Sequence, residues 1–576
     1  MDNFDLVIRG GTIFDGTGGE SRAGDVAIQD GRIAAMGRVA GKGKEEIDAL
    51  DRLVTPGWVD IHTHYDGQVT WSNRLNPSST QGATTIVMGN CGVGFAPCLP
   101  ERRETLIKVM EGVEDIPGIV LEEGIPWTWQ SFPEYLDVLG RTSYDIDIAA
   151  QMTHAPVRVH VMGERGVNRE RATDEDIAKM ARLVQEGVQA GALGFSTSRT
   201  LIHRLKDGSM TPTIHADERE LMGIALGMKA AGAGVLEMVE DSRGNDQDLE
   251  IEYGMWRRIV QASGRPLSFT LSQFASNPLK HREVLAFVEK ANQSGLKMRG
   301  QTGNRPVGMI LGLECSLHPF AGCSSFAPLA GLPLAQKVAA MKRPEMRARL
   351  LAEAPPANDQ NTARVRGFDS IYPFGEPPNY FPGADRKLSV LAAQRGIAPL
   401  ELAYEILLSN DGHGQMYYPG TNFYNNSNDE LFGMITHPQV LMGLGDGGAH
   451  MMSVCDASMP THLLSYWTRD RANGERIPLA RAVHMLTKKN ADYIGLKDRG
   501  VLAPGYRADV NVIDYNGLRI HAPVAVSDLP AGGSRLDQRV DGYDATIAKG
   551  QVIYRAGRHT GALPGRLIRG AQPAPR

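Results

Sequence analysis

The sequence predicts an α/β fold in which a (β/α)₈ barrel of the TIM type is joined to a small β-sandwich built from both ends of the chain. Three observations predict this fold. Helix-then-strand units repeat through the middle of the chain, and such repeats indicate a parallel sheet covered by helices. Both chain ends carry short alternating strands separated by Gly and Asp-Gly turns. The 576 residues, 42% of them apolar, are enough for one large barrel with a satellite unit.

The two chain ends have the same strand-rich pattern. Residues 4–55 contain runs such as FDLVIRGGTIFDGTGG and GDVAIQDGRIAAMG, in which apolar and polar residues alternate between turn residues. The stretches DRGVLAPGYRADVNVIDYNG (498–517) and ATIAKGQVIYRAG (545–557) repeat this texture. We therefore expect residues 1–55 and 486–576 to form the two parts of one sandwich.

The middle segment, residues 56–485, has helical periodicity. Apolar residues recur at three-to-four spacing in DEDIAKMARLVQEGVQAG, ERELMGIALGMKAAGAG and HREVLAFVEKANQSG. Short apolar runs follow each of them, namely ALGFSTS, VLEMVED and KMRGQTG. About eight such units fit this segment, which predicts the barrel. Residues 316–430 are rich in Pro, Asn and Gly, and this break predicts an insertion with a long loop or cap over one barrel face.

Two histidines follow the apolar run at the start of this segment, in TPGWVDIHTHYDGQ (55–68). On a strand, residues i and i+2 share a face, so His62 and His64 should both point into the barrel. They would lie at the carboxyl end of its first strand, where barrel active sites are found. Imidazole nitrogen is a preferred zinc donor. A bare H-x-H pattern also arises by chance, so two structural histidines are the alternative, but the position at the barrel entrance favours a metal site.

Composition and charge exclude several function classes. The net charge of −5, from 61 basic and 66 acidic residues, gives no electrostatic footprint for nucleic acid or for an anionic membrane. The amino terminus lacks an export signal, and no apolar run approaches the roughly 18 residues that span a bilayer. The five cysteines are too few for a disulfide framework and favour a reducing compartment, so we expect a cytoplasmic protein. No coiled-coil pattern is present, and an oligomer remains open.

Several segments, taken in order, resemble one known group of enzymes. LVTPGWVDIHTHYD resembles the first-strand signature of the amidohydrolase superfamily. GATTIVMGNCGVGFAP (82–97) and GALGFSTS (191–198) resemble the second-strand and fourth-strand segments of its N-acyl-D-amino-acid deacylases. VLMGLGDGGAH (440–450) is similar to the eighth-strand segment of the superfamily, which ends on an aspartate. The resemblance covers nearly the whole chain and is weaker over residues 305–430.

The resemblance implies roles for individual residues. Cys91 corresponds to a zinc-binding cysteine, and Asp446 to the aspartate that binds metal and transfers protons. Each has a plain alternative, because free cysteines are commonly small buried hydrophobes and an Asp before Gly-Gly commonly shapes a turn. His154 and His450 are weaker candidates for contacts with the substrate, with packed structural histidines as the alternative.

Two positions depart from the deacylase pattern, which has further metal-binding histidines on strands five and six. The corresponding stretches here are GVLEMVEDSRG (234–244) and PLSFTLSQFA (266–275), which put Glu237 and Leu271 at those positions. Carboxylate oxygen can bind zinc and a leucine side chain cannot. We therefore expect one zinc ion rather than two. The ligands would come from His62, His64, Cys91, Glu237 and Asp446. A hydrogen-bonded carboxylate in the barrel mouth is the alternative for Glu237.

The deacylase lysine near strand six is also replaced, by Gln273. This removes a cation that would suit a substrate carboxylate, and Arg243 or Arg305 are candidates to replace it.

Together these motifs predict a hydrolase that cleaves the amide C–N bond of a small N-acyl compound with metal-activated water. Asp446 would act as general base and then as general acid. A cyclic-amide hydrolase or a deaminase of the same superfamily is an alternative, since the same apparatus serves those reactions. A non-catalytic relative with a degraded metal site is another.

Overall fold

A barrel of eight parallel strands forms the centre of the protein. The computed structural model describes residues 3–240, 248–357 and 359–575. The barrel strands are Trp58–Asp60, Ala83–Met88, Asp147–Ala150 continued by Met152–Thr153, Gly194–Ser198, Val235–Val239, Leu267–Thr270, Met298–Thr302 and Val440–Met442. Each pairs in parallel with its neighbour, and the two segments of the third strand join the two halves of the barrel. The predicted barrel is therefore confirmed.

The barrel closes between its first and last strands just beyond their carboxyl ends. Thr63 forms a parallel bridge with Gly447. The backbone N–H of His64 donates to the carbonyl of Gly447 at 2.8 Å, and that of Asp446 donates to the carbonyl of His62 at 3.1 Å. The seam of the barrel therefore fixes the two histidines and the aspartate relative to one another.

Helices cover the outside of the barrel. The main ones are Arg103–Glu114, Phe132–Gly140, Asp174–Ala190, Glu218–Ala231, Leu249–Ser263, Lys280–Gln293, Asp429–Thr436 and Leu479–Leu486. Asp174–Ala190 shows why they form. Thr173 and Asp176 make a capping box at its start, and a stripe that includes Met180 and Val184 is buried against the barrel.

Both chain ends build the satellite unit. Its nine strands are Asn3–Ile13, Arg22–Gln29, Arg32–Gly37, Lys42–Asp48, Leu53–Pro56, Val510–Ile513, Tyr543–Ala548, Gln551–Arg555 and Arg558–His559. Val510–Ile513 pairs with Leu53–Pro56 on one side and with Tyr543–Ala548 on the other, so the two chain ends share one sheet. The apolar residues of both ends, for example Ile8 and Val512, pack in one buried cluster.

The last residues of the chain leave this sheet and return to the barrel. Ile568 donates its N–H to the carbonyl of Ile148 on the third barrel strand at 2.7 Å. Its side chain is buried with Val59 and Leu441 of the first and eighth strands. Residues 565–572 therefore belong with the barrel, whereas the sequence pattern placed all of 486–576 in the sandwich. Their apolar residues are too few to signal this docking in the sequence.

The insertion is a folded unit with its own core. Three short strands, Gly308–Leu311, Tyr372–Pro373 and Met416–Pro419, form a small antiparallel sheet. The helices beside it are Ala327–Ala330, Leu334–Met341, Pro344–Ala352, Gln360–Arg364, Leu388–Arg395 and Pro399–Leu408. Buried residues such as Leu311, Met341 and Leu402 form a separate apolar cluster. The Pro-rich and Gly-rich stretches are the connections of this unit, so the segment is more regular than the predicted loop. Among the described residues, none of the helices combines the length and apolarity needed to cross a membrane.

Candidate metal centre

Three potential metal donors meet at the carboxyl ends of the first two barrel strands. His62 and His64 follow the strand Trp58–Asp60, and Cys91 follows Ala83–Met88. All three side chains are buried, and one donor atom from each lies within 4.8 Å of the other two. The predicted same-face placement of the two histidines is therefore observed, and Cys91 joins them.

Asp446 lies beside this group of three donors. It follows the eighth strand, and its Oδ1 lies 3.4 Å from Nε2 of His62 and 3.6 Å from Nε2 of His64. The sulfur of Cys91 lies 3.4 Å from the same Nε2 of His62. Ligands about 2.0–2.3 Å from a tetrahedral zinc ion are about 3.3–3.7 Å from each other. His62, His64 and Cys91 therefore fit a metal ion, and Asp446 lies beside both histidines.

The backbone at this site is held in an uncommon conformation. Cys91, Asp446 and His450 have φ angles of 56°, 44° and 51°, in the left-handed region that side chains usually avoid. Such residues cost of order 1–3 kcal/mol each and persist where surrounding contacts enforce them. Here the backbone N–H of Cys91 is held by a carboxylate oxygen of Glu237 at 3.1 Å.

Glu237 is brought to the donor cluster by the fifth strand. It is 1% exposed, and its second oxygen has no hydrogen-bond partner among the described residues. Burial raises the pKa of Glu237 to about 8. A buried carboxylate with an unsatisfied oxygen, next to a cysteine and two histidines, is what a cation ligand requires. Leu271, just past the sixth strand, is 2% exposed and offers no donor.

A hydrogen bond fixes the orientation of His62. Its Nδ1 lies 3.1 Å from Oε1 of Gln301 on the seventh strand. An amide oxygen only accepts, so His62 donates from Nδ1 and its Nε2 keeps a lone pair that faces the cluster. Burial also lowers the pKa of His62 to about 4, which keeps the ring neutral, as a metal ligand must be. Nothing in the sequence around Gln301 singles it out.

The structure adds Glu114, which the sequence patterns missed. It is the buried last residue of the helix Arg103–Glu114. One oxygen lies 3.4 Å from Nδ1 of His64, and the other lies 3.6 Å from Nε2 of His450. A signal was present in the sequence, because Glu114 falls four residues after Met110 on the buried apolar stripe of this helix. An acidic residue on such a stripe needs a partner.

The charges of the cluster are unbalanced without a cation. Burial opposes the charged form of His64, but Glu114 and Asp446 outweigh it and raise the pKa of His64 to about 9. Burial likewise opposes the charged form of Asp446, but its hydrogen bond to His64 and its electrostatic interactions with the neighbouring histidines outweigh it and lower the pKa of Asp446 below its usual range. Burial, and then the charge of Glu237, raises the pKa of the Cys91 thiol. A divalent cation would neutralise these carboxylates and favour the thiolate.

The predicted substrate-binding residues lie in different places. His450 is beside Glu114 and is 31% exposed, so it can face a substrate. His154 is fully buried, and its two ring nitrogens are engaged by Thr197 Oγ1 at 2.7 Å and Glu220 Oε1 at 2.9 Å. His154 therefore has no nitrogen left for a substrate. Arg243 lies outside the described residues.

Arg305 is buried and already paired. Its Nη2 lies 2.8 Å from Asp456 Oδ1 and donates to the carbonyl of Cys455 at 2.6 Å. Its guanidinium also stacks 3.9 Å from the ring centroid of Tyr380. These partners hold Arg305 inside the protein and leave little of it for a substrate carboxylate.

Another histidine faces the cluster from the loop after the fourth strand. Nδ1 of His203 lies 2.8 Å from the hydroxyl of Ser198. Burial, with the neighbouring His450 and His64, lowers the pKa of His203 to about 3, so the ring is neutral. His203 was not selected from the sequence, since it is an isolated histidine in a polar loop.

Comparisons with known proteins identify the family and the fold. The model of the amidohydrolase family matches residues 45–554. An uncharacterized protein of Mycobacterium tuberculosis is 26% identical over 97% of this chain and 93% of its own length. The N-acyl-D-aspartate deacylase of Alcaligenes xylosoxydans xylosoxydans is 37% identical over 34% of this chain and 36% of its own length.

Solved structures share the fold. A D-aminoacylase in complex with CuCl₂ superimposes with a TM-score of 0.66 at 22% identity, over 98% of this chain and 100% of that one. The N-acyl-D-glutamate deacylase of Bordetella bronchiseptica, complexed with zinc and a phosphonate inhibitor, gives a TM-score of 0.65 at 22% identity, over 99% and 100% of the two chains. At this identity the likeness establishes the common architecture.

Proposed function

The chain belongs to the amidohydrolase family, and on this premise we propose a zinc-dependent hydrolysis of the amide C–N bond in a small N-acyl compound. The observation that carries the proposal is the convergence of the donor atoms of His62, His64 and Cys91 at the carboxyl end of the barrel, with Asp446 beside both histidines. The relatives that deacylate N-acyl-D-amino acids make such compounds the first substrates to test.

We propose that one zinc ion is held. His62, His64, Cys91 and Asp446 would supply its ligands, and Glu237, which accepts from the backbone N–H of Cys91 and keeps one unsatisfied oxygen, could contribute. Leu271 supplies nothing at the sixth strand, which argues against a second tight site. A D-aminoacylase with the same fold is described as having a binuclear metal centre with one-metal activation and second-metal attenuation. One metal ion therefore activates that D-aminoacylase.

In the reaction, the residues of this chain would bind, orient and move protons. A bound divalent ion lowers the pKa of a water molecule from 15.7 to about 7 and polarises the amide carbonyl. Asp446 is ionised, lies beside both imidazoles and accepts the proton of the attacking water. It then returns this proton to the leaving nitrogen, which departs as the amine while the acyl group becomes a carboxylate.

Glu114 would act through His64 as a positioning residue. Its carboxylate approaches the ring nitrogen that faces away from Asp446, the arrangement by which carboxylates orient metal-bound histidines. The backbone N–H of His450 also donates to the carbonyl of Glu114, which ties the end of this helix to the loop after strand eight. Glu114 thus links the metal site to His450, a candidate substrate contact.

Two alternatives to this function remain distinct. A cyclic-amide hydrolase or a deaminase would use the same donors on a different substrate. A non-catalytic relative would explain Leu271, but it gives no physical reason for three buried donors beside a half-buried aspartate. All five cysteines are free thiols, as is typical of proteins in a reducing compartment. We therefore propose that the protein is cytoplasmic, and that its substrate is a small molecule.

The decisive experiment uses zinc-loaded protein and a panel of N-acyl-D-amino acids and N-acyl-L-amino acids, with release of the free amine as readout. We expect hydrolysis of at least one acidic or neutral N-acyl amino acid. Cleavage of hydantoins or dihydropyrimidines without any cleavage of linear amides would favour the cyclic-amide alternative. Protein that holds no stoichiometric zinc and hydrolyses nothing in the panel would favour the non-catalytic alternative.

A further inference from the structure

A second cleft, which contains none of the metal-site residues, opens among the loops that follow the third and fourth barrel strands. Its volume is about 400 Å³, and it is open to solvent. Its lining residues are Arg169, Arg171, Arg199, Ile214, His215, Ala216 and Asp217. We propose that this cleft is a binding site for a small anion that presents carboxylate or phosphate oxygens. The proposal goes beyond the amide hydrolysis and does not depend on it.

Three separate chain segments line the cleft, and two of them supply its arginines. Arg169 and Arg171 lie between the short helix Glu164–Val167 and the helix Asp174–Ala190. Arg199 follows directly on the fourth barrel strand. Residues 214–217 lead into the helix Glu218–Ala231. The cleft is thus a product of the fold and not of a local run of basic residues.

The guanidinium groups outnumber the carboxylates in the cleft by three to one. The single carboxylate, Asp217, is engaged elsewhere. Its Oδ1 accepts from the backbone N–H of Glu220 at 3.2 Å as the cap of the following helix, and its Oδ2 lies 3.5 Å from Arg219. With three arginines and one aspartate, the lining has a net positive charge, although the whole chain has a net charge of −5.

The arginines also retain free donors. The side chain of Arg171 is exposed and makes no hydrogen bond or ion pair with any residue that the structure describes. The Nε of Arg199 is buried without a hydrogen-bond partner, while its Nη1 lies 3.3 Å from Glu252. Arg169 is positioned by a bond from its Nη1 to the carbonyl of Met210 at 2.9 Å.

This chemistry selects the class of ligand. The planar fork of a guanidinium matches the oxygens of a carboxylate or a phosphate with two parallel hydrogen bonds. The volume lies within the range of small-molecule pockets, roughly 300–1,000 Å³. Phosphate and short dicarboxylates share the required oxygens and are the probes of choice.

The test is a calorimetric titration of the zinc-loaded full-length protein with inorganic phosphate and, separately, with succinate. We expect saturable binding of at least one of them. Arg171→Ala should weaken it at least tenfold, and Arg199→Met should weaken it similarly. Arg171 is exposed, so its variant keeps the fold even if Arg199→Met does not. Arg182→Ala, an exposed arginine on the outer face of Asp174–Ala190, is the matched control and should change the affinity less than twofold.

The two probes distinguish the sources of the ligand. Binding of phosphate alone assigns a phosphate-bearing ligand, and binding of succinate alone assigns a carboxylate ligand, and both support the site. Saturable binding of neither anion overturns the proposal. The proposal is also overturned if binding is unchanged in both arginine variants and disappears when zinc is removed, because the anion would then occupy the metal centre. Hydrolysis of N-acyl compounds plays no part in these readouts.

Discussion

The carboxyl ends of barrel strands one and two differ sharply from those of strands five and six. The first pair delivers three donors, His62, His64 and Cys91, to one point. The second pair delivers one buried carboxylate, Glu237, and one buried hydrocarbon, Leu271. Leu271 packs over Gly300 of the neighbouring strand and offers no donor atom. The metal centre is therefore one-sided, gathered where the barrel closes, and this asymmetry predicts a single ion.

Metal removal tests the donor-rich side as a whole and should have the largest effect. Exhaustive chelation should reduce hydrolysis to the uncatalysed rate, because the water is activated by the metal ion that His62, His64 and Cys91 hold. One equivalent of zinc should restore it. The readout is turnover together with zinc content by elemental analysis. Full activity in protein shown to be free of metal would refute the metal centre.

The next largest effect concerns Asp446, the donor that the eighth strand adds to this side. Asp446→Asn should lower turnover by at least about 10²-fold, since the amide cannot accept the proton of the attacking water. The near-isosteric change should leave the melting temperature nearly unaltered. Steady-state kinetics on zinc-saturated protein would measure this loss. Near-normal turnover would remove Asp446 from the proton transfer.

Glu237 tests the donor-poor side. Glu237→Gln should weaken zinc retention by roughly 100-fold, at the upper end of what the loss of one supporting group around a metal costs, because a neutral amide is a poor ligand. Leu271→Ile is the matched control and should retain zinc normally. Competition with a chromophoric chelator gives both affinities. Equal retention in the two variants would make Glu237 a bystander, and two tightly bound zinc ions in the native protein would refute the one-ion count.

Glu114 should give the smallest effect of the four, because it acts on the metal through His64. Glu114→Gln should weaken zinc retention by about tenfold. Glu104→Gln, on the exposed face of the same helix, pairs only with Lys108 and should change nothing. The same chelator competition applies. A larger loss than in Glu237→Gln would reverse the proposed order of the two carboxylates.

Much of this architecture follows from local patterns. The alternation of apolar residues at the chain ends, the three-to-four periodicity between them and the i, i+2 spacing of His62 and His64 each report a geometry that is set within a few residues. For that reason the barrel, the satellite unit and the orientation of the two histidines were predictable. The positions of Cys91 and Asp446 were predictable because the strand-end segments that contain them resemble those of a known family.

The contacts between distant segments were decided by packing. Glu114 and Gln301 lie 50 and 237 residues beyond His64, and nothing in their neighbourhoods shows that they approach the two imidazoles. His154 was a candidate substrate contact, yet Thr197 and Glu220 occupy both of its nitrogens. The insertion folds around its own core, and the chain end docks on the barrel. Each outcome depends on which buried polar group finds a partner and which apolar face is covered. These are properties of the closed barrel as a whole, and local sequence does not encode them.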